Sequence, residues 1–216
     1  MIATPDLINA LAASATPVRR LRPPLTRAAF WLLVAALVVG LLAVSQGIRN
    51  DLLERLRDPI FAIAIAATLL TGILATISAF MVSLPDRSRF WPLLPAPAVV
   101  LWFSTIGYQC LTDWVHLGPG GIALGETARC FATLALTSLP LSLVLGMMLR
   151  HAAPLRPGAT ALMGSLAVAA ITATALSLFH EIDATIMILV WNLGAAALFV
   201  ALGGLIGPRL LRWAAR

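Results

Sequence analysis

Residues 59–84 read PIFAIAIAATLLTGILATISAFMVSL, and PDRSR follows at 85–89. No charge interrupts the first stretch, which exceeds the roughly 20 residues an α-helix needs to cross a hydrocarbon core of about 30 Å. Asp58 stands before it, and Arg87 and Arg89 stand behind it. Cationic residues in short loops stay on the cytoplasmic side. The reading is a membrane span whose C-terminal end faces the cytoplasm.

Working outward, five more apolar runs of this kind lie at about 27–48, 93–112, 127–149, 159–179 and 184–206. The expected fold is an all-α polytopic membrane protein, a six-transmembrane-helix bundle with N and C termini cytoplasmic. Charge agrees at every crossing. Eleven of the fifteen arginines (Arg19, Arg20, Arg22, Arg27, Arg87, Arg89, Arg150, Arg156, Arg209, Arg212 and Arg216) fall on one side, opposed only by Asp6 and Asp86. Arg49, Arg55, Arg57 and Arg129 share the other side with Asp51, Glu54, Asp58, Asp113, Glu126, Glu181 and Asp183. Three parts follow: a cytoplasmic arm at 1–26, a transmembrane domain at 27–206 and a basic tail at 207–216.

A chain that is 60% hydrophobic and 11% charged cannot cover a soluble core with polar surface. The isoelectric point of about 11.2 would suggest nucleic acid in a soluble protein, but the arginines are placed as topology determinants. Lipid headgroups are therefore the expected partner, with no direct nucleic-acid contact. Ala43-Val44-Ser45 loosely fits a signal-peptide cleavage site, yet the apolar run is too long for one and more spans follow. Trp31, Trp91 and Trp213 at inner ends and Tyr108 and Trp114 at outer ends fit an aromatic belt, while Trp102 and Trp191 lie deeper, as packing residues.

The arm opens with Thr4-Pro5-Asp6, an N-cap, a proline at the first helical position and an acid in the first turn. A short helix follows, ended by Pro17, with Leu7, Ile8 and Leu11 on one face. Ten or so residues do not hold a helix alone in water, so this one needs a surface. The face is narrow and lacks aromatics and cations, which weakens a lipid-surface reading and leaves a partner protein. Val18-Arg19-Arg20-Leu21-Arg22-Pro23-Pro24 then forms a basic, proline-stiffened link.

No ionisable residue falls at mid-depth, which argues against an ion-coupled transporter. Gly40, Gly72, Gly107, Gly164, Gly194, Gly203 and Gly204, with hydroxyls such as Thr71, Thr76, Ser78, Thr137, Ser138, Thr172 and Thr174, point to close helix contacts. Pro140 should kink the fourth span, and Pro95 and Pro97 should distort the start of the third. Asn192 is the one deep amide, suited to an interhelical hydrogen bond. No nucleophile elbow, zinc-protease helix, P-loop or intramembrane carboxylate pair is present, so enzyme chemistry has no residues to carry it.

The outer face holds the remaining polar interest: Cys110, His116, Glu126, Cys130 and the His180-Glu181-Asp183 turn. Thiolate and imidazole suit a soft or borderline metal, and an oxidising face also permits a disulfide. Closing the loop from Cys110 to Cys130 would contribute about 3 kcal/mol in the chain-entropy model. Plain packing is the third reading, and the spacing matches no metal motif. No cofactor is certain; a soft divalent metal would act as a signal.

Taken together these stretches resemble a known family, the NrsF-type (negative regulator of sigma F) six-span anti-sigma factors of bacterial inner membranes. The resemblance rests on Asp6-Leu7-Ile8 with Pro17 to Pro24, on Trp91-Pro92-Leu93-Leu94-Pro95, and on Cys130 with Pro140. Leu149 to Leu155, the Trp191 span and Gly207 to Trp213 complete it. It implies a multi-pass inner-membrane protein that holds an extracytoplasmic-function (ECF) sigma factor at the membrane and releases it on an envelope signal. Asp6, Leu7, Ile8, Leu11, Arg19, Arg20 and Arg22 would then hold the partner. The family pattern has two outer cysteines; Cys130 fills the first place, but the second, counted back from Trp191, falls on His180. A simple disulfide between those places is in doubt, whereas a cysteine-histidine metal site is not. The competing functions are a small transporter or facilitator and a structural subunit of a membrane complex.

Overall fold

The computed structural model describes residues 4–14, 22–113, 124–150, 156–179 and 194. Among these, every regular element is helical: α1 (Thr4–Ser14), α2 (Pro24–Gln46), α3 (Leu52–Arg55), α4 (Pro59–Val82), a 3-10 turn (Trp91–Leu93), α5 (Ala96–Asp113), α6 (Leu124–Arg150) and α7 (Pro157–Phe179). Among the described residues, four stretches are long and apolar enough to cross a membrane: Pro24–Gln46, Pro59–Val82, Ala132–Leu149 and Pro157–Phe179. They coincide with the runs expected at 27–48, 59–84, 127–149 and 159–179. The expected third run falls in the 3-10 turn and α5, whose described side chains from Trp91 to Thr105 form an apolar stretch. The expected sixth run and the tail lie outside the described residues.

Local chemistry explains the helix ends. Pro59 takes the first position of α4, where no N–H is needed, and the Asp58 carboxylate accepts from Ile60 N–H at 3.0 Å. Pro23 and Pro24 start α2, and Thr26 Oγ1 donates to the Pro23 carbonyl at 2.7 Å. Gly47 stops α2 at φ +79°, a left-handed value that other residues reach with strain. The 3-10 turn and Pro95 lead into α5, with Pro97 inside its first turn, so the prolines shape the start of the helix without breaking it. Likewise α6 runs through Pro140 as one helix.

Among the described helices, α7 is the most buried. Of its most apolar stretch 72% is buried, against 17% for that of α2. It packs most extensively on α4 and also touches α6 and α2. Small side chains make this possible: a Cβ on Gly72 of α4 would meet Ile171 Cδ1 at 2.7 Å, and one on Gly164 would meet Leu145 Cδ2 at 3.1 Å. Without a hydrophobic effect in lipid, such close approach is what drives helix association. Gly40 behaves otherwise than expected; it is exposed and has nothing within 4 Å of a built Cβ, because α2 turns that face outward. The same holds at Gly194. Trp102 is buried at 1% exposure, as a packing residue should be. Trp31 is a correction: it lies at 0% exposure in the core, away from any belt, and its indole N–H donates to the Leu141 carbonyl at 3.2 Å.

Buried hydroxyls serve their own helices. Thr71, Thr76 and Thr137 each donate to the carbonyl four residues back, all at 2.7 Å. Thr174 Oγ1 reaches across to Thr68 Oγ1 at 3.2 Å and joins α7 to α4.

Candidate functional site

The bundle has two chemically different ends. At one end, Ser78 Oγ donates to the Trp91 carbonyl at 2.9 Å, and Arg27 packs against Phe80 and donates to Met148. The arm link, the 83–95 connection and the C-terminal end of α6 therefore share this end. It carries Arg22, Arg87, Arg89 and Arg156, all exposed, with Asp86 as the acid among its described residues. At the other end, Thr133 Oγ1 donates to Gln46 Oε1 at 3.0 Å, and Arg49 N–H donates to the Leu178 carbonyl at 3.2 Å. Asp51, Glu54 and Asp58 are here. The sorting of arginines by loop thus becomes a sorting by end.

α1 precedes the arm link in the chain. Its described side chains, Asp6 and Ile8 included, are exposed, Ile8 at 60%. Arg22 is exposed just ahead of Pro23. The side chains of Leu7 and Leu11, and residues Arg19 and Arg20, lie outside the described residues.

Arg27 was read from sequence as one more topology arginine. Its side chain instead lies in the core at 8% exposure. Nη2 donates to the carbonyl of Met148, in the last turn of α6, and the guanidinium carbon sits 5.0 Å from the centre of the Phe80 ring at the end of α4. Nη1 is buried with no hydrogen-bond partner. One side chain thus joins the starts or ends of three helices. Position in the chain gives no sign of this; only the small neighbour Ala28 and the following Trp31 hint at a packed face.

At the other end, Arg49 makes a two-pronged contact with Asp51, Nε to Oδ1 and Nη2 to Oδ2, each at 2.6 Å. Its guanidinium carbon also lies 5.8 Å from the Phe61 ring centre. Arg55 adds a longer contact to Asp51 at 3.7 Å. The Arg49 hydrogen bonds hold the Asp51 carboxyl below the usual carboxylate range, despite partial desolvation that acts the other way.

Cys110, Glu126 and Cys130 are placed only by backbone, Cys110 in α5 and the other two in the first turns of α6. Their side chains, and residues His116 and His180, lie outside the described residues. Among those described, no three His, Cys, Asp or Glu side chains group to hold a metal. One juxtaposition bears on them. Gln46 binds Thr133, three residues beyond Cys130, and Arg49 binds Leu178, two residues before His180. Three residues of chain reach about 10 Å at most, so the loop after α2 ties those two helix ends together.

A family model described as negative regulator of sigma F matches residues 11–213. The chain belongs to this family. Its kind is regulatory and non-enzymatic, a negative regulator with a sigma factor as target. The match includes Leu11, Arg19, Arg20, Arg22, Cys130 and His180, and begins after Asp6, Leu7 and Ile8. No curated protein and no solved structure matches the chain.

Proposed function

We propose that this negative regulator is a six-span inner-membrane anti-sigma factor with both termini cytoplasmic, which holds an ECF sigma factor through α1 and the basic link. The observation that carries this reading is the exposure of α1. Eleven residues are too few for a stable lone helix in water, so a helix whose described side chains are exposed calls for a partner. Asp6, Leu7, Ile8 and Leu11 supply the contact, and Arg19, Arg20 and Arg22 supply complementary charge. Deleting residues 1–16, or changing Leu7 and Leu11 to Asp, should free the sigma factor while the protein stays in the membrane. Charges at packed anchor positions each cost on the order of 2 kcal/mol. Wild-type recovery of the sigma factor with either variant places the holding surface elsewhere, and recovery of other integral subunits instead favours a structural role.

Release is proposed to begin at the outer end, where Cys130 and His180 share a soft metal ion with Glu126 or His116 completing the shell and Cys110 as the alternative sulfur. The tie from Gln46 to Arg49 supports this pairing. Cadmium chloride is the probe: Cys130→Ser and His180→Ala should each abolish cadmium induction of a sigma-dependent reporter. Retained induction in both variants removes the metal mechanism and leaves sigma holding by α1 intact.

A further inference from the structure

Arg27 stands where the arm meets the bundle. Pro23 and Pro24 fix the backbone ahead of it, and both Thr26 Oγ1 and Arg27 N–H bond back to the Pro23 carbonyl, at 2.7 and 3.2 Å. A rotation of the first turn of α2 therefore carries Arg22 and Pro23, the described part of the arm link, with it. The Arg27 side chain grips the other partner, the Met148 carbonyl. Carbonyls of a helix's last turn lack partners within the helix and carry partial negative charge, so a guanidinium suits the place. One turn further along α2, Trp31 Nε1 makes a second tie to α6 at Leu141. The opposite end of α6 holds Cys130.

We propose that Arg27 is the positioning residue that couples α6 to the arm, so that movement of the Cys130 end of α6 changes how α1 is presented; this rests on the sigma-holding reading above. The grip is incomplete by construction. Nη1 is buried without an acceptor, so an arrangement that brought it a carbonyl would be favoured over the present one. The Phe80 ring beside the guanidinium is a second contact that holds it in place. Because Arg27 is 8% exposed, it acts through α6 and not by touching the partner.

Coupling is reciprocal: if α6 moves the arm, a protein bound to the arm must alter the far end of α6. The test uses the full chain in open membrane fragments, with and without its co-expressed sigma factor. Maleimide labelling of Cys130 is followed by mass spectrometry of its peptide, and hydrogen exchange over 124–133 makes the same comparison should the thiol be unreactive. In the wild type, sigma binding should change the rate by roughly fivefold or more, the low end of ordinary coupling. Arg27→Met, which keeps an unbranched apolar stem but no donor, should reduce that change to less than about twofold at equal sigma occupancy. Arg27→Lys, with the charge and no fork, should fall between. Should Arg27→Met fail to accumulate, Arg27→Lys carries the decision. A full sigma-dependent change in the Arg27 variants overturns the coupling role and leaves the holding reading standing. Absence of any change in the wild type overturns the coupling too, and failure to recover the sigma factor at all overturns the holding reading itself.

Discussion

Gly72 offers a measurement of how tightly the bundle is closed. Replacing it with Ala places a Cβ 2.7 Å from Ile171 Cδ1, 2.9 Å from Cγ1 and 3.4 Å from the Ile171 backbone nitrogen. Ile171 is itself buried, so it has little room to turn away. Overpacking of this kind costs about 1–3 kcal/mol, while the exchange of Gly for Ala in a helix returns about 1 kcal/mol. Gly40→Ala has the same helix gain and no neighbour within 4 Å. Comparing the two variants cancels the backbone effect and leaves the overpacking, about 1–3 kcal/mol. For a chain of this size each kcal/mol moves a melting midpoint by about 2–4 °C, so Gly72→Ala should melt roughly 2–12 °C below Gly40→Ala. The assay is fluorescence-detected size exclusion after heating in detergent, at one scan rate for both. A Gly72→Ala midpoint equal to or above that of Gly40→Ala refutes the close α4–α7 contact.

Two buried threonines on α7 should respond in opposite ways. Thr174→Val removes hydroxyl contacts to Ala170 and Thr68 and should cost about 0.6 kcal/mol, up to about 1.7; Thr172→Val removes a buried oxygen with no partner and should be neutral or stabilising. Equal losses in the same melting assay count against this assignment. At the outer end, the Asp51 carboxyl is held down chiefly by its hydrogen bonds from Arg49, so its contribution is fully present above the ordinary carboxylate value of about 3.9 and is lost only as pH falls through the lower folded value. Hydrogen-exchange protection of residues 47–58, corrected for intrinsic rates, should be the same at pH 7 and pH 5, and its loss by pH 5 defeats the argument.

The lengths of α2, α4, α6 and α7 were legible because a span must be uncharged for the thickness of the bilayer, whatever its neighbours. Which span lies inside was not. Mean hydropathy is 2.5 for α2 and 1.9 for α7, the reverse of the order a soluble protein would show, because lipid welcomes apolar side chains and gives no reason to bury them. The signal that does identify α7 is its wealth of Ala, Gly and Thr. Glycine alone misleads, as Gly40 shows, since it does not say which face of a helix meets a neighbour. Arg27 was legible as a cationic residue at an inner end, but its turn toward Phe80 and Met148 depends on which face of α2 meets α4 and α6. Of the outer end, the acids and arginines could be read, whereas the fork from Arg49 to Asp51 and the tie to Leu178 depend on where the chain turns after Gly47.

The burial of α7 also bears on the order in which the protein can be made. α4 meets α7 across a sequence separation of 106 residues at Thr68 and Thr174, and among the described elements the helices that α7 packs on, α4, α6 and α2, precede it in the chain. Until α7 is made, Gly72 of α4 lacks the Ile171 side chain that closes on it. Among the described elements, α2, α4, α5 and α6 can pair as they are made, and the α4–α7 contact waits for residues 157–179.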